Sequence, residues 1–144
     1  MGKYQFSMAK VLNWREAQEE FAKKNFMQKR FEQMEQEAIL AEIVAASREL
    51  KVSTTNFINV NTLRQQHLYK NYLDEQIVLQ KRALEKVNHE TEAERQVLIG
   101  AQQDRKILEK LKERQYEAYA KEEKRQEQKD LDEMGTLRFQ SSVS

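Results

Sequence analysis

The apolar positions of this chain divide it into two long stretches of helical period joined by a short stretch that has none. From Met27 onward, Met27, Phe31, Met34, Ala38, Ala41 and Ala45 step by alternating four and three residues. That spacing places side chains on one face of a helix and makes the seam of a coiled coil, and the three alanines permit close approach of a second helix. Upstream, Val11, Leu12, Trp14, Ala17, Phe21 and Phe26 spread over a wider arc, as for contact with a further surface. Ser7 is a good N-cap, with Phe6 and Val11 placed as a hydrophobic staple, so the first helix is predicted over 7–50.

Across 51–58 the sequence KVSTTNFI loses the period and gathers β-branched and hydroxyl residues, which are weak helix formers, so the chain turns there. Asn59 then repeats the capping device, flanked by Ile58 and Leu63, and Thr62 with Gln65 offers a capping box one turn later. The second helix is predicted over 59–134. Residues 61–134 contain no proline and one glycine, and would run roughly 110 Å as a helix, too long to be the core of a compact domain of this size. Leu73, Ile77, Leu84, Val87, Leu98, Ala101 and Leu108 form its seam. Gln80, Thr91, Glu94 and Arg105 fill the intervening positions, where polar residues cost stability and fix register or partner number.

The predicted fold is all-α, a long antiparallel two-helix coiled-coil hairpin in one domain, with the second helix longer than the first. With the turn centred near Asn56, residue 7 would face about residue 105. Residues 106–134 would then overhang, carrying Ile107, Leu108, Leu111, Tyr116, Ala118 and Tyr119 as an apolar strip in need of a cover. Gly135 is a natural helix stop, and the tail 135–144 is expected to fray. Gly100 lies inside the second helix, where simple tolerance of glycine is the expected explanation and a close approach or a flexible point the alternative.

Composition agrees with long helices. There is no proline, no cysteine and only three glycines, and 34% of residues are charged. Six Phe, five Tyr and a Trp argue against disorder. Lys and Arg total 25 against 24 Asp and Glu, so the net charge of +1 supplies no general pull toward nucleic acid or anionic lipid. The longest apolar stretch, 38–46, is interrupted by Glu42 and is far shorter than a membrane span. No signal-peptide pattern opens the chain, and the expected setting is cytoplasmic, without membrane insertion.

Catalytic chemistry is not expected. His67 and His89 have no metal-binding spacing around them and read as helix-surface residues. No glycine-rich loop cradles phosphate, and no cofactor is implied. The functional signal is instead an excess of apolar residues at the start of the second helix. Leu63, Leu68, Tyr69, Tyr72 and Leu73, with Gln76, occupy more than one face, whereas a two-stranded coil buries only a narrow stripe. Exposed aromatics there are expected to dock a partner or to pack the hairpin end.

Three landmarks outside the heptads resemble the flagellar export protein FliJ family: YQFSMAKVLNWRE at the start, LRQQHLYKNYLDEQI opening the second helix, and DLDEMGTLRF near the end. The resemblance covers essentially the whole chain. It implies a cytoplasmic, non-enzymatic coiled-coil component of flagellar type III export, similar to the γ subunit of rotary ATPases and peripherally associated with the flagellar base. It also implies partners: the export ATPase FliI, the export gate protein FlhA and export chaperones. By motif, Tyr69, Leu73, Gln76 and Gln80 would meet the gate, Gln80 standing where some relatives carry histidine. Phe6, Leu12, Leu131 and Phe139 would lie toward the ATPase. A structural homodimeric coiled coil, pairing through 106–134, and the equivalent stalk protein of a related secretion injector remain as alternatives.

Overall fold

A computed structural model describes residues 4–53 and 59–143. It is all-α: helix α1, Ala9–Ser53, has 45 residues, and helix α2, Val60–Val143, has 84. No strand occurs among the described residues. The expected fold class is therefore the one observed, with the second helix the longer.

Three of the expected element boundaries are corrected. The α1 helix begins at Ala9 rather than Ser7. The Phe6 carbonyl accepts from the Ala9 amide at 3.2 Å, and the Met8 carbonyl takes the first helical bond, from Leu12 at 2.9 Å, so Met8 holds the N-cap position. The same helix continues through Lys51 and Val52 to Ser53, because helical hydrogen bonding already established carries a few weak formers at its end. The rest of the expected turn, 54–58, lies outside the described residues. Gly135 does not stop α2, which runs on to Val143, and no described glycine has a positive φ. Polar i,i+4 contacts line this last part: Gln128 donates to Asp132 at 3.2 Å, and the Thr136 hydroxyl donates to the Asp132 carbonyl at 2.9 Å.

The cap of α2 is the expected one. Asn59 Oδ1 accepts from the Thr62 amide at 2.8 Å and from the Thr62 hydroxyl at 2.9 Å, satisfying a donor that helix geometry leaves free.

The chain falls into two compact units, Met1–Glu19 with Ala101–Ser144, and Glu20–Gly100. In the first, Phe6, Leu12 and Leu108 are buried together, with Tyr4, Met8 and Leu111 packed against them. The Tyr4 ring sits 5.3 Å edge-on to Tyr116 and 5.4 Å from Tyr119, and its hydroxyl donates to the Lys112 carbonyl at 3.2 Å. An aromatic clasp of this kind adds ring–ring attraction to area burial. Beside it Arg15 meets Asp104 at 3.1 Å, and Arg105 pairs with both Glu19 and, at 2.6 Å, Glu109.

These contacts move the register. Leu12 packs with Leu108 and Tyr4 with Tyr116, so facing residues have numbers adding to roughly 120, not the 112 that a turn at Asn56 would give. The strip expected to overhang from Lys106 is consequently half covered. Leu108, Leu111, Tyr116 and Tyr119 meet the N-terminal segment. The fully exposed part of α2 begins at Lys124 and continues through Ser141.

In the second unit the two helices again run antiparallel. Phe26 lies under Arg95, Lys29 pairs with Glu90 at 3.0 Å, Gln33 donates to Asn88, and Gln80 donates to the Gln36 carbonyl at 3.2 Å. Among the described residues, Ala22, Ser47, Leu73 and Thr91 are the buried ones of this unit. Thr91, 2% exposed, directs its hydroxyl to the Val87 carbonyl at 2.7 Å and toward the Lys29 carbonyl at 3.4 Å. A buried hydroxyl in a helical coil needs such a bond, and the carbonyl one turn back supplies it.

Candidate functional site

The seam of α2 is the one its sequence pattern indicates. Leu73, Ile77, Gln80, Leu84, Val87, Thr91, Glu94 and Leu98 are buried or half-buried in the second unit, and Ala101, Arg105 and Leu108 are so in the first. The seam of α1 is not. Facing α2 in the second unit are Ala22, Phe26, Lys29, Gln33, Gln36, Leu40, Ile43 and Ser47, all buried or half-buried and themselves at alternating four and three spacing. Met27, Phe31, Met34, Ala38, Ala41 and Ala45, the expected core stripe, are exposed instead. They occupy the outermost positions of the heptad.

The reason lies in who answers whom. Lys29, Gln33 and Gln36 are polar, and each finds a polar partner on α2 at the matching level, Glu90, Asn88 and Gln80. Half-buried polar groups that are bonded cost little. Lys29 is held above the ordinary lysine range, chiefly by its hydrogen bonds to Glu90 and then Glu32. Glu90 is held below the ordinary carboxylate range by the same Lys29 contact. The charged state of each stabilises the other.

The candidate docking residues at the start of α2 divide into two sets. Tyr69, 47% exposed, stacks against Tyr72 with ring centroids 6.4 Å apart, and Leu68, Val78 and Leu79 are exposed on the same helix. Gln76 is half-buried beside them. Leu73, at 5% exposed, and Gln80, bonded to Gln36, instead belong to the packing between helices. A partner at this place would meet Tyr69, Tyr72 and Gln76, while Leu73 and Gln80 hold the helix that presents them. Tyr72 was grouped with this cluster by its apolar surplus, and helical spacing of three from Tyr69 is the signal that joins the two rings.

The other four candidates are also in two places. Phe6 and Leu12 are core residues of the first unit, buried with Leu108. Leu131 and Phe139 are 63% and 69% exposed on α2. Twenty-three residues of helix separate Leu108 from Leu131, roughly 35 Å along the axis, so the two pairs do not form one patch. Tyr4 is the residue that sequence reasoning missed here. Its placement two residues before Phe6, ahead of the helix, was the available signal.

His67 and His89 are exposed on α2, His67 3.5 Å from Asn71 and His89 4.0 Å from Glu85, both one turn away. Among the described residues no group of three or more metal-binding side chains is gathered, and no helix is long and apolar enough to cross a membrane.

Two antiparallel helices with partly polar seams and exposed aromatic and aliphatic residues define a coiled-coil protein. A family model described as Flagellar FliJ protein matches residues 4–144, and the chain belongs to that family, whose members are components of flagellar protein export. Comparison with curated proteins gives no match, and comparison with solved structures gives none.

Proposed function

We propose that this chain is a non-enzymatic, cytoplasmic adaptor of flagellar type III export. It couples the export ATPase FliI to the gate protein FlhA, escorts export chaperones, and sits peripherally at the flagellar base. The family match favours the flagellar system over a related secretion injector. The observation that carries the adaptor reading is the stacked pair Tyr69 and Tyr72 with half-buried Gln76, an aromatic surface left uncovered in a chain of this family. Exposed tyrosines on a stiff helix provide contact area at low entropic cost, which is why such residues anchor interfaces. The exposed end of α2, with Leu131 and Phe139, is the second contact surface, on the ATPase side.

The test uses the purified chain and the cytoplasmic part of the gate protein. Tyr69→Ala with Tyr72→Ala should lower gate binding at least about tenfold while leaving helicity intact, since both side chains are exposed. Leu73→Ala is unsuited to this purpose because the residue is buried. Undiminished gate binding by the double variant would remove the tyrosine surface from the proposal.

A further inference from the structure

The outer stripe of α1 is the more apolar of that helix's two heptad seams, and it faces away from α2. Met27, Phe31 and Met34 are 58%, 63% and 56% exposed, and Ala38, Ala41 and Ala45 continue the same alternating spacing. A stripe repeating every 3.5 residues matches another helix, because only a helix keeps such a seam in contact over several turns. Its contents are ordered along the chain. The three large residues come first and the three small ones follow.

That order identifies the occupant. Two copies laid parallel would stack Phe31 on Phe31 at one end and alanine on alanine at the other, so the axes would splay. Laid antiparallel about a two-fold axis, Met27 meets Ala45, Phe31 meets Ala41 and Met34 meets Ala38. Every layer then joins one large and one small side chain, at the near-constant spacing that helix packing requires. A groove of about 540 Å³ runs beside the small half, lined by Ala41 and Ala45 of the stripe together with Leu40, Val44 and, on α2, Leu84. Charge follows that order in part: in this register Arg30 of one copy faces Glu42 of the other and Lys23 faces Glu49, while Glu35 faces Glu37 and Lys24 faces Arg48.

We propose that the outer face of α1, from Met27 to Ala45, is a self-association surface that pairs two copies of this chain antiparallel. The contact is short, so the dimer is weak and reversible, formed where copies are concentrated. It uses neither the tyrosine surface of α2 nor the 106–134 strip, and it stands independently of the adaptor role.

Light scattering on the full chain, from about 5 to about 500 µM, should show mass rising toward that of two chains. Phe31→Glu should move that rise at least about tenfold higher in concentration, with helicity by circular dichroism unchanged. Orientation is read by disulfides, since the chain has no cysteine of its own. Chains carrying Met27→Cys mixed with chains carrying Ala45→Cys should cross-link on mild oxidation. Ala45→Cys alone should not, its two sulfurs being held roughly 27 Å apart along the axis. A chain that stays monomeric throughout, a dimer indifferent to Phe31→Glu, or cross-linking of Ala45→Cys by itself would each overturn the proposal.

Discussion

Two faces of α1 between Ala22 and Ser47 carry heptad spacing, and they differ in what fills it. The inner face holds Lys29, Gln33, Gln36 and Ser47 among its apolar residues and is packed against α2. From Met27 to Ala45 the outer face holds only Met, Phe and Ala, and is exposed. Hydrophobicity alone would pair α2 with the outer face. The inner face pairs because its polar residues are answered, level by level, by Glu90, Asn88 and Gln80. In a long coil with few large apolar layers, complementarity sets the register and apolar content then sets how firmly it is held. A stripe freed from intramolecular packing is available for another chain.

The largest expected effect separates the faces by stability. Leu73→Ala, in the buried seam, should cost about 2–4 kcal/mol through lost burial and an unfilled space. Phe31→Ala, although it removes a bigger side chain, should change the stability of the isolated chain by less than about 0.5 kcal/mol. Urea denaturation at low micromolar concentration, followed by circular dichroism, reads both. Similar losses for the two variants would mean that the outer face is packed after all.

A smaller effect is expected from making the inner face as apolar as the outer one. Gln80 bonds both the carbonyl and the side chain of Gln36, a polar layer that positions the helices more than it binds them. Replacing both residues, Gln36→Leu with Gln80→Leu, removes the two polar groups together and leaves neither unpartnered. The pair should raise stability by about 1–2 kcal/mol in thermal melts. It should also widen the oligomeric distribution, because a layer that specified the partner is gone. A destabilised double variant would show that the amide pair contributes net binding.

How far the sequence discloses this fold depends on the helix. In α2 the seam positions are mostly Leu, Ile and Val, so period and burial coincide from Leu73 to Leu108. In α1 they diverge. The buried seam runs through residues whose partners lie more than forty positions away, as with Gln33 and Asn88 or Gln36 and Gln80, and no local pattern records them. The cap at Asn59 was legible because capping is local, while the register was not, since a small error in placing the turn is carried along both helices. The same shift explains why Tyr4 clasps Tyr116 and Phe6 covers Leu108. At the candidate site, the aromatic surplus around Tyr69 was visible, but which members face inward follows only from the true partner face.

The smallest effect expected concerns charge on the inner face. The hydrogen bond from Lys29 holds the Glu90 carboxyl below its ordinary range, with the charges of Lys29 and Lys86 acting in the same direction. A depressed folded value means that the stabilisation is present above the unfolded carboxylate value, near 4.5, and is lost as pH falls through the folded value. Lys29 is raised, so its share is present below 10.5 and disappears as pH rises through its folded value. The pair is half-exposed, which limits its size at ordinary salt. Glu90→Gln should therefore leave the melting temperature near neutral pH only slightly lower, and should flatten its decline between about pH 5 and about pH 3. Added salt should shrink the difference between the two proteins. If the acid limb of the Glu90→Gln variant is as steep as that of the parent, the pair does not hold the two helices in register, and the apolar layers on either side, Phe26 and Val87 among them, must do so unaided.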